Sequence, residues 1–84
     1  MYNVYAIVSN KDKRIYIGIV KDVEARLKEH NKGKTKSTKY YRPWTLFYSE
    51  SAESRLLARQ REKELKSGVG REFLKEKLEG PCSS

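Results

Sequence analysis

Two short β-rich runs near the start of the chain, Val4 to Val8 and Ile15 to Ile19, constrain the fold more than any other feature. The residues after the first run, Ser9-Asn10-Lys11-Asp12-Lys13, form a polar group that suits a hairpin loop. An antiparallel hairpin therefore opens the chain. From Lys21 to Asn31, Val23 and Leu27 recur at helical spacing, Asp22 favours the positive N-terminal end, and Gly33 supplies a stop, which predicts a first helix. Lys32 to Trp44 has no core pattern and reads as an exposed basic loop, with Trp44 itself directed to the core. Thr45 to Tyr48 predicts a third strand. Ser51 or Ser54 caps a helix through Leu57, Ala58 and Leu65 to Gly68, and Arg71 to Leu78 forms a last helix packed through Phe73, Leu74 and Leu78. The expected architecture is α+β, a small three-stranded antiparallel sheet flanked by helices in the order β-β-α-β-α-α.

The 84 residues allow a single core, so the expectation is one domain over residues 1–79 followed by a disordered tail, residues 80–84. The only cysteine, Cys82, falls in that tail, which excludes a disulfide framework and a cysteine zinc site. With 19 Lys plus Arg against 11 Asp plus Glu, the net charge of +8 attracts polyanions, and DNA or RNA is the leading partner. Anionic lipid is disfavoured because the chain shows neither a lipid anchor nor a basic amphipathic helix with a large apolar face. No secretory signal and no run approaching roughly 20 apolar residues is present, so a cytoplasmic location without membrane contact is expected.

Several polar residues lie on stripes that periodicity assigns to the interior. Arg26 and His30 share a helical face with Val23 and Leu27, and Glu62 lies between Ala58 and Leu65 on the packed side of a later helix. Buried charges are costly without a partner or a metal. In the hairpin, period 2 separates Ile15, Ile17 and Ile19 from Tyr16 and Gly18. Pairing Tyr5 with Gly18 or with Tyr16 puts both tyrosines on one face, beside a glycine that leaves room for a ligand. Arg26, His30 and Glu62 could converge there as cation, proton-transfer group and metal-binding carboxylate. Each residue also has an ordinary reading. Strand tyrosines pack well, a histidine near a helix end complements the dipole, Arg26 can pair with Glu29, and Glu62 can pair with a basic neighbour.

Asn3-Val4-Tyr5 and Tyr16-Ile17-Gly18, followed by Asp22 to Asn31, Lys36 to Lys39, Arg42-Pro43-Trp44 and Ala58 to Gly68, resemble the GIY-YIG nuclease superfamily along nearly the whole chain. The second motif is intact, whereas the first reads Asn-Val-Tyr in place of Gly-Ile-Tyr but keeps its tyrosine. The resemblance implies a three-stranded antiparallel sheet with flanking helices. It also implies a divalent-metal-dependent endonuclease in which Glu62 binds Mg²⁺ or Mn²⁺, Arg26 holds the scissile phosphate, Tyr5 orients or deprotonates the attacking water, and Tyr16 and His30 assist. Lys34, Lys36, Lys39 and Arg42, beside Tyr40 and Tyr41, suit contacts to phosphates and bases. No separate DNA-reading module is present, so weak sequence preference is expected, with branched, flapped or single-stranded DNA in repair or recombination as substrate. The competing reading is a nucleic-acid-binding module with the nuclease fold and little activity by itself, in which a protein partner or a second copy of the chain supplies target choice.

Overall fold

The run Tyr2–Ser9 carries apolar side chains at both parities, Val4 and Ala6 on one and Tyr5 and Ile7 on the other, so a strand there requires cover on both faces. The computed structural model, which describes residues 1–79, places this strand, β1, at the centre of a three-stranded antiparallel sheet. Its neighbours are β2 (Ile15–Val20) and β3 (Trp44–Ala52), in the spatial order β2-β1-β3. Helix α1 (Val23–Lys32) joins β2 to β3, and α2 (Arg55–Lys66) and α3 (Gly68–Glu79) complete the chain. The order β-β-α-β-α-α is the one the sequence predicts. The expected tail, residues 80–84, lies outside the described residues.

Both faces of β1 are covered, by different helices. Val4 and Ala6 pack with Ala58 and Leu65 of α2 and Leu74 of α3. Tyr5 and Ile7 pack with Trp44 and with Val23 and Leu27 of α1. Fully burying a Val, Ile or Leu side chain contributes roughly 1.5–3 kcal/mol, so Val4, Ile7, Leu65 and Leu74 hold the two layers to the sheet. Between Ala6 and Ile7 the register with β3 jumps from Tyr48 to Leu46, a bulge that skips Phe47. The bulge lets Leu46 join the α1 side while Phe47 and Tyr48 pack on the other.

The caps fix where α1 presents its side chains. Asp22 is the N-cap and its carboxylate accepts from the Ala25 N–H at 3.1 Å. Gly33, at φ 82°, closes the helix in the left-handed conformation that glycine takes without strain. For α2 the cap is Ser54, whose hydroxyl accepts from the Leu57 N–H at 3.2 Å, whereas Ser51 lies within β3 and donates to Asn3.

The α1–β3 connection departs from the exposed loop expected of it. Thr38 and Trp44 are buried, and the Trp44 indole donates to the Thr38 carbonyl at 2.9 Å. Asn31 accepts from the Trp44 N–H at 2.6 Å and donates to its carbonyl at 3.1 Å. These bonds fold the middle of the loop against the end of α1, while Lys34, Lys36 and Tyr40 stay exposed. Bonds from a loop to single backbone groups leave no periodic trace, which is why the sequence shows only the polar surface.

Candidate active site

The β1–β2 register pairs Tyr5 with Gly18 and Ile7 with Tyr16, so both tyrosines share the face that α1 covers. Gly18 has a different role from the one expected. A β-carbon there would lie 2.7 Å from the Tyr5 hydroxyl oxygen and within 3 Å of its ring, so the missing side chain makes room for Tyr5 rather than for a ligand.

Tyr5 and His30 are both buried, and the Tyr5 hydroxyl lies 2.9 Å from His30 Nε2. On the other side of the ring, His30 Nδ1 lies 2.7 Å from the hydroxyl of Thr38, which donates onward to the Thr35 carbonyl at 3.4 Å. That direction of donation leaves the Thr38 oxygen to accept from Nδ1–H, and Nε2 to accept from the Tyr5 hydroxyl. Burial first, and the positive charge of Arg26 second, hold the His30 pKa below its ordinary value. A neutral imidazole fully occupied by two neighbours replaces the dipole-complementing histidine of the ordinary reading. Burial also raises the Tyr5 pKa, and a hydrogen bond with Arg26 opposes that rise. Tyr16 packs edge-on against His30 at 5.1 Å between centroids and against Trp44 at 6.3 Å, and among the described residues its hydroxyl makes no hydrogen bond.

Arg26 sits half-exposed beside this group, and its Nη1 bonds Glu29 Oε1 at 2.8 Å. The pair holds the Glu29 carboxyl below its usual range. Both partners are open to water, so the pair adds little to stability and an incoming phosphate can displace it.

Glu62 stands apart. Its helix, α2, packs on the opposite face of the sheet, and among the described residues no hydrogen bond or ion pair joins it to Tyr5, Tyr16, Arg26 or His30. Glu62 and His30 are thus carried by helices that pack on opposite faces of the sheet. The Glu62 side chain is 24% exposed, and Oε2 meets Lys66 Nζ at a long 3.3 Å. A cleft of about 470 Å³ at the edge of β2 is lined by Tyr16 and by that same Lys66, which links the two layers.

Among the described residues no group of three or more His, Cys, Asp or Glu is placed to hold a metal. Glu62, with its weakly held carboxylate, fits a hard divalent ion whose remaining oxygen ligands are waters and substrate phosphate. Of the loop cations, Lys34 and Lys36 are exposed, and Lys39 lies with its ammonium over the Tyr40 ring at 5.0 Å. Arg42 has a structural attachment as well. Its Nε donates to the Lys39 carbonyl at 2.7 Å, and its guanidinium covers Gly33 at the negative end of α1.

A family model described as the GIY-YIG catalytic domain matches residues 1–76, and the chain belongs to the GIY-YIG family of nuclease-type domains, whose fold it shares. A UPF0213 protein of Staphylococcus haemolyticus is 43% identical over 70 residues, covering 82% of this chain and 85% of that one. A UPF0213 protein of Staphylococcus aureus strain N315 is 44% identical over 62 residues, covering 73% and 76%. The solution NMR structure of a UPF0213 protein from Bacillus halodurans superposes with a TM-score of 0.54 at 32% identity, covering 96% of this chain and 89% of that one. No helix among the described residues is long and apolar enough to cross a membrane.

Proposed function

We propose that the chain is a divalent-metal-dependent endonuclease that hydrolyses phosphodiester bonds in DNA within the cytoplasm. The observation that carries the reading is the buried Tyr5–His30–Thr38 hydrogen-bond chain, with the Arg26 guanidinium beside it. Tyrosine alone is a poor base at neutral pH, since its ordinary pKa is near ~10. Coupled to the unprotonated Nε2 of His30, Tyr5 passes its proton inward as it takes one from water, and Thr38 holds Nδ1–H so that Nε2 stays the acceptor. The water oxygen then bonds to phosphorus opposite the departing 3′-oxygen. The P–O3′ bond breaks, and that oxygen takes a solvent proton, leaving a 3′-hydroxyl and a 5′-phosphate.

Arg26 exchanges Glu29 for the scissile phosphate and neutralises its charge as the bond order changes. Tyr16, with a free hydroxyl at the edge of the cleft, orients the same phosphate group. Glu62 would hold Mg²⁺ or Mn²⁺, which when bound supplies charge neutralisation and Lewis acidity at the phosphate. Lys34, Lys36, Lys39 and Arg42 contact the flanking backbone.

Cleavage of labelled linear, flapped and branched DNA with Mg²⁺ or Mn²⁺ tests the reading, against EDTA and Glu62→Ala controls. Cutting that needs both the ion and Glu62 is expected. A folded wild-type chain that binds all three substrates and cuts none would overturn the proposal in favour of a binding module.

A further inference from the structure

The cleft at the β2 edge carries a charge pattern that the nuclease chemistry does not require. Its walls bear four cations, Lys13 from the hairpin loop, Lys66 from α2, and Arg71 and Lys75 from α3, and no carboxylate lines it. Lys13, Arg71 and Lys75 take part in no ion pair among the described residues, although Glu72 and Glu76 share α3 with two of them. The floor is apolar, formed by Ile15, Ile17 and Leu74, and Tyr16 closes the end nearest His30. The volume, about 470 Å³, falls within the roughly 300–1,000 Å³ of pockets that enclose a small organic ligand.

We propose that this cleft is a subsite for an unpaired nucleotide strand, with one base lying on the Ile15–Ile17–Leu74 floor beside Tyr16 and successive phosphates meeting Lys13, Arg71 and Lys75. A basic rim over an apolar floor suits a ligand that is anionic along one edge and flat and apolar in its body, which describes a single-stranded nucleotide and not a paired one. In a duplex the base faces are stacked and cannot enter a cavity. Tyr16 places the subsite next to the proposed reacting group, so a strand leaving it arrives at Arg26 already unpaired. The inference rests on the nuclease reading for its biological meaning, but binding tests it separately.

The experiment is fluorescence anisotropy in EDTA, where no cutting occurs, on the full chain with a labelled single-stranded oligonucleotide, the matching duplex, and an abasic strand of equal length. The variant is Lys13→Asn/Arg71→Ala/Lys75→Ala. Asn is chosen because Lys13 has φ 68°, a conformation that Asn tolerates. Losing three contacts at about 0.7 each should flatten the slope of log affinity against log salt by about 2 for the single strand and leave duplex binding within about twofold. The abasic strand should bind the wild type at least about fivefold more weakly than the normal one. The single change Lys75→Glu, on an exposed helix position, should weaken single-strand binding in the same direction and covers the case in which the triple variant does not fold. Unchanged single-strand affinity and slope, or equal losses for single strand and duplex, would refute the subsite. A chain that never cuts DNA but shows these binding changes would sink the nuclease reading and leave the subsite standing.

Discussion

His30 is the only histidine in the chain, which makes its protonation legible in the stability of the whole fold. Its imidazole is buried with Nε2 accepting from Tyr5 and Nδ1 donating to Thr38, so protonation would put a second donor against the phenol and a charge in the interior. In the unfolded chain the ring takes up a proton near its ordinary pKa of 6.5; in the folded chain it does so only at lower pH. Between those two values the unfolded state binds more protons, so stability is fully present above about pH 6.5 and falls as pH drops through the window. The decline stops below the folded pKa. Its steepest slope is about 1.4 kcal/mol per pH unit, so moving from about pH 7.5 to about 5.5 should cost up to about 1.4 kcal/mol. For a chain of this size each kcal/mol corresponds to about 4–8 °C in the melting temperature. Urea denaturation at the two pH values measures the loss directly. His30→Gln should be less stable at both and nearly flat between them, since no other side chain ordinarily titrates there. A flat wild type, or an equal slope in His30→Gln, would refute the neutral, doubly bonded assignment and remove His30 as the acceptor of the Tyr5 proton.

Thr38→Val keeps the shape of the side chain but leaves Nδ1–H buried without an acceptor, so the fold should lose about 1–3 kcal/mol by urea titration, and cleavage should fall with it, while Thr38→Ser should restore both. Gly18→Ala forces a methyl group into the Tyr5 ring; an overpacking loss of about 1–3 kcal/mol and displacement of Tyr5 are expected, and wild-type stability together with unchanged cutting would contradict the observed contact. Glu62→Ala breaks only a long, exposed pair with Lys66, so melting should shift by the equivalent of under about 1 kcal/mol while metal-dependent cleavage disappears; a large stability loss with retained cleavage would make Glu62 structural. Neutralising Lys34, Lys36 and Lys39 together should lower affinity for single strands and duplex alike and flatten the salt dependence, and an unchanged slope would take this loop out of the footprint.

The architecture was legible because each element announces itself through periodicity: alternation in Ile15 to Ile19, three- and four-residue spacing through Val23 and Leu27, and Ala58 with Leu65 on one stripe of α2. The same patterns drew attention to Arg26, His30 and Glu62 as polar residues on packed stripes, and His30 is indeed buried. Thr38 escaped for the opposite reason. It sits in an irregular loop eight residues from His30, and a threonine among Lys36, Ser37 and Lys39 is indistinguishable by composition from its exposed neighbours. Periodicity also says which side of its own helix a residue occupies but not which face of the sheet that helix covers. It therefore leaves open which face Glu62 serves, and the structure packs α2 with Val4 and Ala6, on the face opposite Tyr5 and Ile7. Likewise the alternation in β2 showed that Gly18 shares a face with Tyr16, but the occupant of the space above it depends on the ring conformation of a residue on another strand.

The placement of Glu62 gives the edge of β2 a significance that neither face of the sheet has alone. On the proposed mechanism, one substrate phosphate must meet Arg26 and Tyr16 on the α1 side and a carboxylate on the α2 side. A polymer can touch both layers only by passing around a strand that has no further neighbour, and β2, outermost in the order β2-β1-β3 and bordered by the cleft, meets that condition. An open edge strand invites pairing with another chain, and positive charges along it discourage that association. Lys13, Lys66, Arg71 and Lys75 stand where they can do so. The same charges would attract a phosphodiester backbone, so a property that keeps the edge from self-pairing also prepares it for substrate. Neutralising the cleft cations should therefore raise the tendency of the chain to self-associate as well as weaken single-strand binding. Sedimentation of Lys13→Asn/Arg71→Ala/Lys75→Ala at increasing concentration reads this outcome, and a variant that associates no more than the wild type does would separate edge protection from substrate attraction.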